Sequence, residues 1–172
     1  MKKNKVRKIA IVEDNPVYRS LVKGILEDSF SEKKIEIAVE VFNHAEGLLE
    51  SIKRHEYKPD LIIADYDLSG PFQGRAFMNG GDLLKTINAI LPNTKVLILS
   101  AHNDKDIIES ALRNNAFDYI IKDDSATVNL VNRVAIALFG MEQADEIKSL
   151  HRLKIGLGIC ITIGLILAYL TV

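Results

Sequence analysis

The chain has 172 residues and a formal net charge of −1, with 48% hydrophobic and 26% charged residues and four prolines. That length holds one domain of ordinary size and a short appendage, which excludes a large multidomain enzyme, and the composition excludes a disordered or fibrous chain. A single cysteine, Cys160, excludes an intramolecular disulfide and a multi-cysteine zinc site, and fits a reducing compartment.

Charge is partitioned along the chain. Five Lys and Arg fall in the first eight residues, a basic tail over 1–8 that lacks the apolar stretch of a signal peptide. Residues 9–149 hold fifteen Lys and Arg against all 23 Asp and Glu, a net −8 that argues against a nucleic-acid surface.

From residue 8 onward, apolar runs of strand length alternate with amphipathic stretches. Lys8 to Val12, Leu61 to Ala64 and Val96 to Leu99 are nearly continuous apolar runs, the pattern of strands covered on both faces. Between Ile35 and Val41 apolar residues fall at every second position, which suits an edge strand, and Asp118 to Ile121 is a shorter fifth run. Helical spacing follows each: Tyr18, Leu21, Val22 and Ile25; Leu48, Leu49 and Ile52; Leu83, Leu84, Ile87, Ile90 and Leu91; Ile107, Ile108, Ala111 and Leu112; Val131, Val134, Ala135 and Leu138. Five strand–helix pairs predict an α/β fold, a doubly wound parallel sheet of order 2-1-3-4-5, with the functional crevice at the carboxyl ends of the first and third strands.

Those ends carry chemistry. The first strand runs into Glu13 and Asp14, the third into Asp65 and Asp67, the fourth into Ser100 and the fifth into Lys122. Carboxylates this close repel one another unless a cation joins them, and an all-oxygen set suits a hard cation such as Mg²⁺ that keeps waters for a phosphate to displace. With one lysine and one hydroxyl they form a site for a phosphoryl group. Taken singly, each residue has a plainer reading: helix caps for Glu13 and Ser100, a solvated lysine for Lys122, edge packing for Tyr119.

Glu13 and Asp14 after the first strand, the run IIADYDLSG around Asp65, Ser100 followed by Ala101, and Tyr119 three residues before Lys122 together resemble a bacterial two-component response-regulator receiver domain of the CheY-like type, over roughly residues 6–139. The resemblance implies a flavodoxin-like fold with Asp65 as phosphoacceptor and Asp14 and Asp65 as direct Mg²⁺ ligands. Glu13 would act through water and Asp67 through its backbone carbonyl. It further implies Lys122 on the phosphoryl oxygens, and Ser100 and Tyr119 as the switch that reshapes the face of the fourth helix, fifth strand and fifth helix. The phosphoryl donor is then a sensor histidine kinase or histidine phosphotransfer protein, and the chain itself is a phosphoacceptor rather than an enzyme. Two rivals share the residues. A haloacid-dehalogenase-like phosphatase would use Asp65 and Asp67, and a binding module on the same fold would need no phosphorylation.

Departures from the family pattern are local. The stretch Tyr66 to Gly81 is long for a strand-to-helix loop and reads as an insertion, in which Gly70, Gly74, Gly80 and Gly81 would permit motion. Asp67 is acidic where the family varies, and is expected to alter dephosphorylation. Lys122 is followed by Asp123 instead of the family's usual proline.

The end of the chain differs from the rest. Ile155 to Val172 is eighteen residues without a charge, which as a helix spans about 27 Å, near the thickness of a thin hydrocarbon core. A transmembrane helix over 155–172 is expected, joined to a receiver domain over 9–139 by a charged helical connector over 140–154. His151, Arg152 and Lys154 before the span orient the domain to the cytoplasmic side of the inner membrane. After Gly140 too little chain remains for a DNA-binding output domain. Output is therefore expected through contact with a downstream protein, or through a homodimer formed by the 4-5-5 face or by the terminal helix, where Gly156, Cys160 and Gly164 share one face.

Overall fold

The computed structural model describes residues 5–32, 35–68 and 78–170, with side chains omitted at 156–158 and from 160 onward. Among the described residues strands and helices alternate: β1 Arg7–Val12, α1 Pro16–Glu32, β2 Ile37–Phe42, α2 Ala45–Lys53, β3 Leu61–Asp65, α3 Gly80–Ile90, β4 Lys95–Ser100, α4 Lys105–Arg113, β5 Asp118–Ile121 and α5 Ala126–Leu170. The five strands form one parallel sheet in the order β2-β1-β3-β4-β5, as the sequence pattern predicts.

The continuous apolar runs form the three central strands because both faces of the sheet are covered. Successive strand residues point to opposite sides. Ala10, Val12, Ile62, Ala64, Val96 and Ile98 join a core cluster with Leu48, Leu49 and Ile52 of α2 and Leu83, Leu84 and Ile87 of α3. The alternate set, Ile9, Ile11, Ile63, Leu97 and Leu99, is equally buried, as are Val22, Leu26 and Phe30 of α1 and Leu130 and Val134 of α5.

β2 begins two residues later than the alternation of Ile35 to Val41 predicts. The Ile35 N–H donates back to the Phe30 carbonyl at 3.0 Å, where it closes the end of α1 and is unavailable to the sheet. Pairing with β1 starts at Ile37 opposite Arg7.

The loop after β3 has its described ends pinned together. The Gly80 N–H donates to the Tyr66 carbonyl at 2.9 Å, Leu68 is fully buried, and the Met78 N–H donates to Glu46 Oε1 at 2.9 Å. Residues 69–77, which include Gly70 and Gly74, lie outside the described residues. Gly80 does not serve the loop mobility expected of it. A Cβ there would stand 2.3 Å from the Asp65 carbonyl oxygen and 2.9 Å from the Tyr66 Cα, so the missing side chain lets α3 start directly against the end of β3.

The chain divides into two compact units, 1–135 and 136–172, and α5 contributes to both. Residues 140–154 are helical, part of α5. Among the described residues no helix is long and apolar enough to cross a membrane, and the expected span over 155–172 falls mostly on positions whose side chains lie outside the description. The transmembrane helix is therefore not part of what the structure shows.

Candidate functional site

Each strand of the β1-β3-β4-β5 series delivers functional groups to the carboxyl end of the sheet, two from β1 and one from each of the others. β1 ends at Val12, the Glu13 N–H makes one last bond to the Phe42 carbonyl at 3.1 Å, and Asn15–Pro16 starts α1 at once: Asn15 Oδ1 accepts from the N–H of Val17 at 3.0 Å and of Tyr18 at 3.2 Å. Glu13 and Asp14 are thereby held in the short turn. The Glu13 carbonyl accepts from Arg19 Nη1 at 2.7 Å, and its carboxylate Oε1 from the Asn15 N–H at 3.1 Å. Asp65 ends β3 beside Leu99 of β4, and Ser100 ends β4 beside Ile121 of β5.

These placements bring Glu13, Asp14 and Asp65 together, each offering one carboxylate oxygen within 4.8 Å of the others. Glu13 and Asp65 are buried, at 2% and 6% exposure. Lys122 reaches in from the end of β5, with Nζ 2.8 Å from Glu13 Oε2 and 2.8 Å from Asp65 Oδ2. The Lys122 ammonium also lies 4.5 Å from the centre of the Tyr18 ring, within cation–π range. Burial pushes the Glu13 carboxyl above the usual carboxylate range, against the hydrogen bond from Lys122. Burial alone would lower the Lys122 ammonium, but the bonds to Asp65 and Glu13 outweigh it and hold it above the ordinary lysine value.

The donor set fits a divalent cation. Two buried carboxylates and a half-buried third, all oxygen and mutually close, are what a hard ion needs and what apolar packing would not retain.

The switch candidates lie on the β4–β5 side. Ser100 is fully buried and its Oγ accepts from the His102 N–H at 3.0 Å. Tyr119 packs against the core cluster, and its hydroxyl donates to the His102 carbonyl at 3.0 Å; burial raises its phenol above the ordinary value. The Asp67 carboxylate stands apart from the acidic trio. Its Oδ2 lies 2.9 Å from His102 Nε2, while its N–H donates to Asp65 Oδ1 at 3.2 Å. No peptide bond among the described residues is cis, that after Lys122 included.

Sequence reasoning missed three residues here. Tyr18 looked like one apolar position among four on α1, Gly80 like a flexible loop residue, and His102 carried no motif. Only for His102 was a signal present, its position two residues beyond Ser100 at a strand end.

Comparison with known proteins agrees with this geometry. Residues 9–135 match the model of the response regulator receiver domain. The chain is 31% identical over 116 residues to a chemotaxis protein CheY of Listeria monocytogenes, covering 67% of this chain and 85% of that protein. To the CheY of Thermotoga maritima it is 29% identical over 131 residues, covering 75% and 98%. Among solved structures, the receiver domain of the response regulator NarL from Mycobacterium tuberculosis superposes with a TM-score of 0.61 at 28% identity, covering 80% of this chain and 99% of that one. The trio of carboxylates with its lysine, set at the strand ends of a 2-1-3-4-5 sheet, and the match over 9–135 lead to one conclusion: the chain belongs to the response regulator receiver domain family.

Proposed function

We propose that this receiver accepts a phosphoryl group on Asp65 from a sensor histidine kinase or a histidine phosphotransfer protein, and that it signals through protein contacts at a membrane. The observation that carries the proposal is the placement of the buried Asp65 carboxylate, at the end of β3 beside Glu13 and Asp14, with Lys122 Nζ 2.8 Å away. Glu13, Asp14 and Asp65, with the Asp67 backbone carbonyl, are the groups that would hold Mg²⁺. The ion, when bound, supplies the charge neutralisation that lets a carboxylate approach a phosphoryl group.

Asp65 then attacks the phosphorus in line, the bond from phosphorus to the donor nitrogen breaks with its electron pair going to the donor imidazole, and an acyl phosphate forms. Lys122, already seated on Asp65, holds a phosphoryl oxygen. Ser100 turns its hydroxyl to another, and Tyr119 is the residue whose packing reports that change. The chain is a phosphoacceptor, with no turnover of a separate substrate.

The same proposal divides the chain into a basic tail (1–8), the receiver (9–139), a connector (140–154) and a membrane helix (155–172). The uncharged stretch from Ile155 supports the last, and His151, Arg152 and Lys154 just before it support a receiver on the cytoplasmic side of the inner membrane. Full-length protein retained on membranes after alkaline carbonate washing, with 1–149 released, supports the anchor; release of the full chain removes it.

Phosphoacceptance is tested on the full chain with Mg²⁺ and acetyl phosphate, following intact mass and free phosphate together. One phosphoryl group gained by the wild type and none by Asp65→Asn is the expected result. Rapid multiple turnover of added phosphoesters would assign a phosphatase instead, and neither adduct nor turnover would leave a phosphorylation-independent binding module.

A further inference from the structure

His102 is the point at which three elements of the site meet. Its backbone N–H donates to the buried Ser100 hydroxyl, its backbone carbonyl accepts from the Tyr119 hydroxyl, and its side chain reaches across to the segment that follows Asp65. Two consecutive residues of that segment hold the imidazole. Asp67 Oδ2 lies 2.9 Å from Nε2, and the Tyr66 ring meets the imidazole edge to face at 6.3 Å between centroids. Tyr66 is fixed in turn, since its N–H donates to the Leu99 carbonyl and its carbonyl accepts from Gly80.

The contact is made either as a hydrogen bond from a neutral imidazole or as an ion pair, so its existence does not depend on protonation. Both side chains are about half exposed, 50% for His102 and 46% for Asp67, so the bridge adds little to global stability. Its effect lies in where it sits. It ties the loop after β3 to the loop after β4, and the second loop carries the carbonyl on which Tyr119 rests.

We propose that the His102 side chain, held by Asp67, is a positioning group for the switch: it fixes the loop after β4 so that the His102 carbonyl seats the inward-packed Tyr119 hydroxyl. This rests on the phosphoacceptor reading of Asp65 given above. Loss of the bridge frees that loop, and the arrangement with Tyr119 packed on the core has to be formed at the moment a phosphoryl group arrives. Preorganisation of this kind appears as ligand affinity, because the population that is ready to bind scales the apparent constant.

The test uses the full chain at saturating Mg²⁺ with beryllofluoride, a phosphoryl mimic, and reads its affinity together with the NMR signals of the Tyr119 ring. His102→Ala and Asp67→Ala should each weaken binding about fivefold and shift the Tyr119 signals, with the melting temperature unchanged. The double variant should lose no more than the weaker-binding single variant, because both remove one shared contact. His102→Gln, which keeps a side-chain donor, should recover part of the loss. Wild-type affinity in His102→Ala, or losses that multiply in the double variant, overturns the positioning role. A wild-type chain that binds no beryllofluoride overturns the phosphoacceptor reading itself, and this proposal with it.

Discussion

Lys122 Nζ stands 2.8 Å from Glu13 Oε2, a contact that closes across 109 residues of chain and joins the first and last strands of the site. The same ammonium bonds Asp65, so one cation is shared between two buried carboxylates. Lys122→Met leaves those carboxylates facing each other without a counter-charge. Breaking a buried pair from one side costs about 3–5 kcal/mol, and a divalent cation offsets part of that by joining the same oxygens. Urea unfolding of Lys122→Met should therefore show a large loss in EDTA and a smaller one in Mg²⁺; an equal loss in both would show that the lysine and the ion do not share the carboxylates.

Gly80 and Gly24 make opposite predictions for the same change. At Gly80 an added Cβ meets the Asp65 carbonyl oxygen at 2.3 Å and backbone carbons at 2.9 and 3.0 Å, none of which can give way without moving Asp65. Gly80→Ala should destabilise the chain by about 1–3 kcal/mol and lower phosphoacceptance with it. Gly24, within α1, has nothing within 4 Å of its added Cβ. Gly24→Ala should stabilise by about 0.5–1 kcal/mol, since only the helical backbone entropy changes. Paired denaturant melts decide both.

Tyr57 is buried, and its hydroxyl has no hydrogen-bond partner among the described residues. Its ring does the packing, 5.8 Å from Phe42 and 5.7 Å from the Lys8 ammonium. Tyr57→Phe should leave stability unchanged or raise it by about 1 kcal/mol, because an unpaired polar group is removed from the interior. Alkaline pH adds a second signature. Burial, with Glu40 and Asp60 nearby, pushes this phenol well above its ordinary value of 10, so the folded state keeps the proton that the unfolded state gives up. That stability is whole below pH about 10 and is lost as pH rises from there toward the folded value. The loss should be shallower in Tyr57→Phe, as unfolding followed from pH 9 to 11 would show.

Tyr18 offers its ring to the Lys122 ammonium at 4.5 Å. A cation–π contact at a partly desolvated site is worth about 0.5–2 kcal/mol. Tyr18→Leu should slow phosphorylation by acetyl phosphate several-fold, while Tyr18→Phe, which keeps the ring, should stay near wild type. Equal rates in all three chains would mean that Glu13 and Asp65 position the lysine unaided.

Much of this protein is legible in its sequence, for a physical reason that differs by element. Lys8 to Val12, Leu61 to Ala64 and Val96 to Leu99 announce central strands because a strand covered on both faces needs apolar residues without alternation. Glu13, Asp14, Asp65, Ser100 and Lys122 announce a site because each stands at the carboxyl end of a strand, and in a parallel sheet all such ends point the same way. Tertiary structure decided the rest. Whether Ile35 joins β2 depends on the Phe30 carbonyl taking its N–H. The need for glycine at 80 arises only because α3 abuts the backbone of Asp65. Asp67 turns from the acidic trio because His102, thirty-five positions along the chain, stands 2.9 Å from it. Periodicity and strand-end position are properties of the chain taken in order; a steric limit, a diverted N–H and a paired carboxylate are made by distant segments, and come into being only when the sheet brings those segments together.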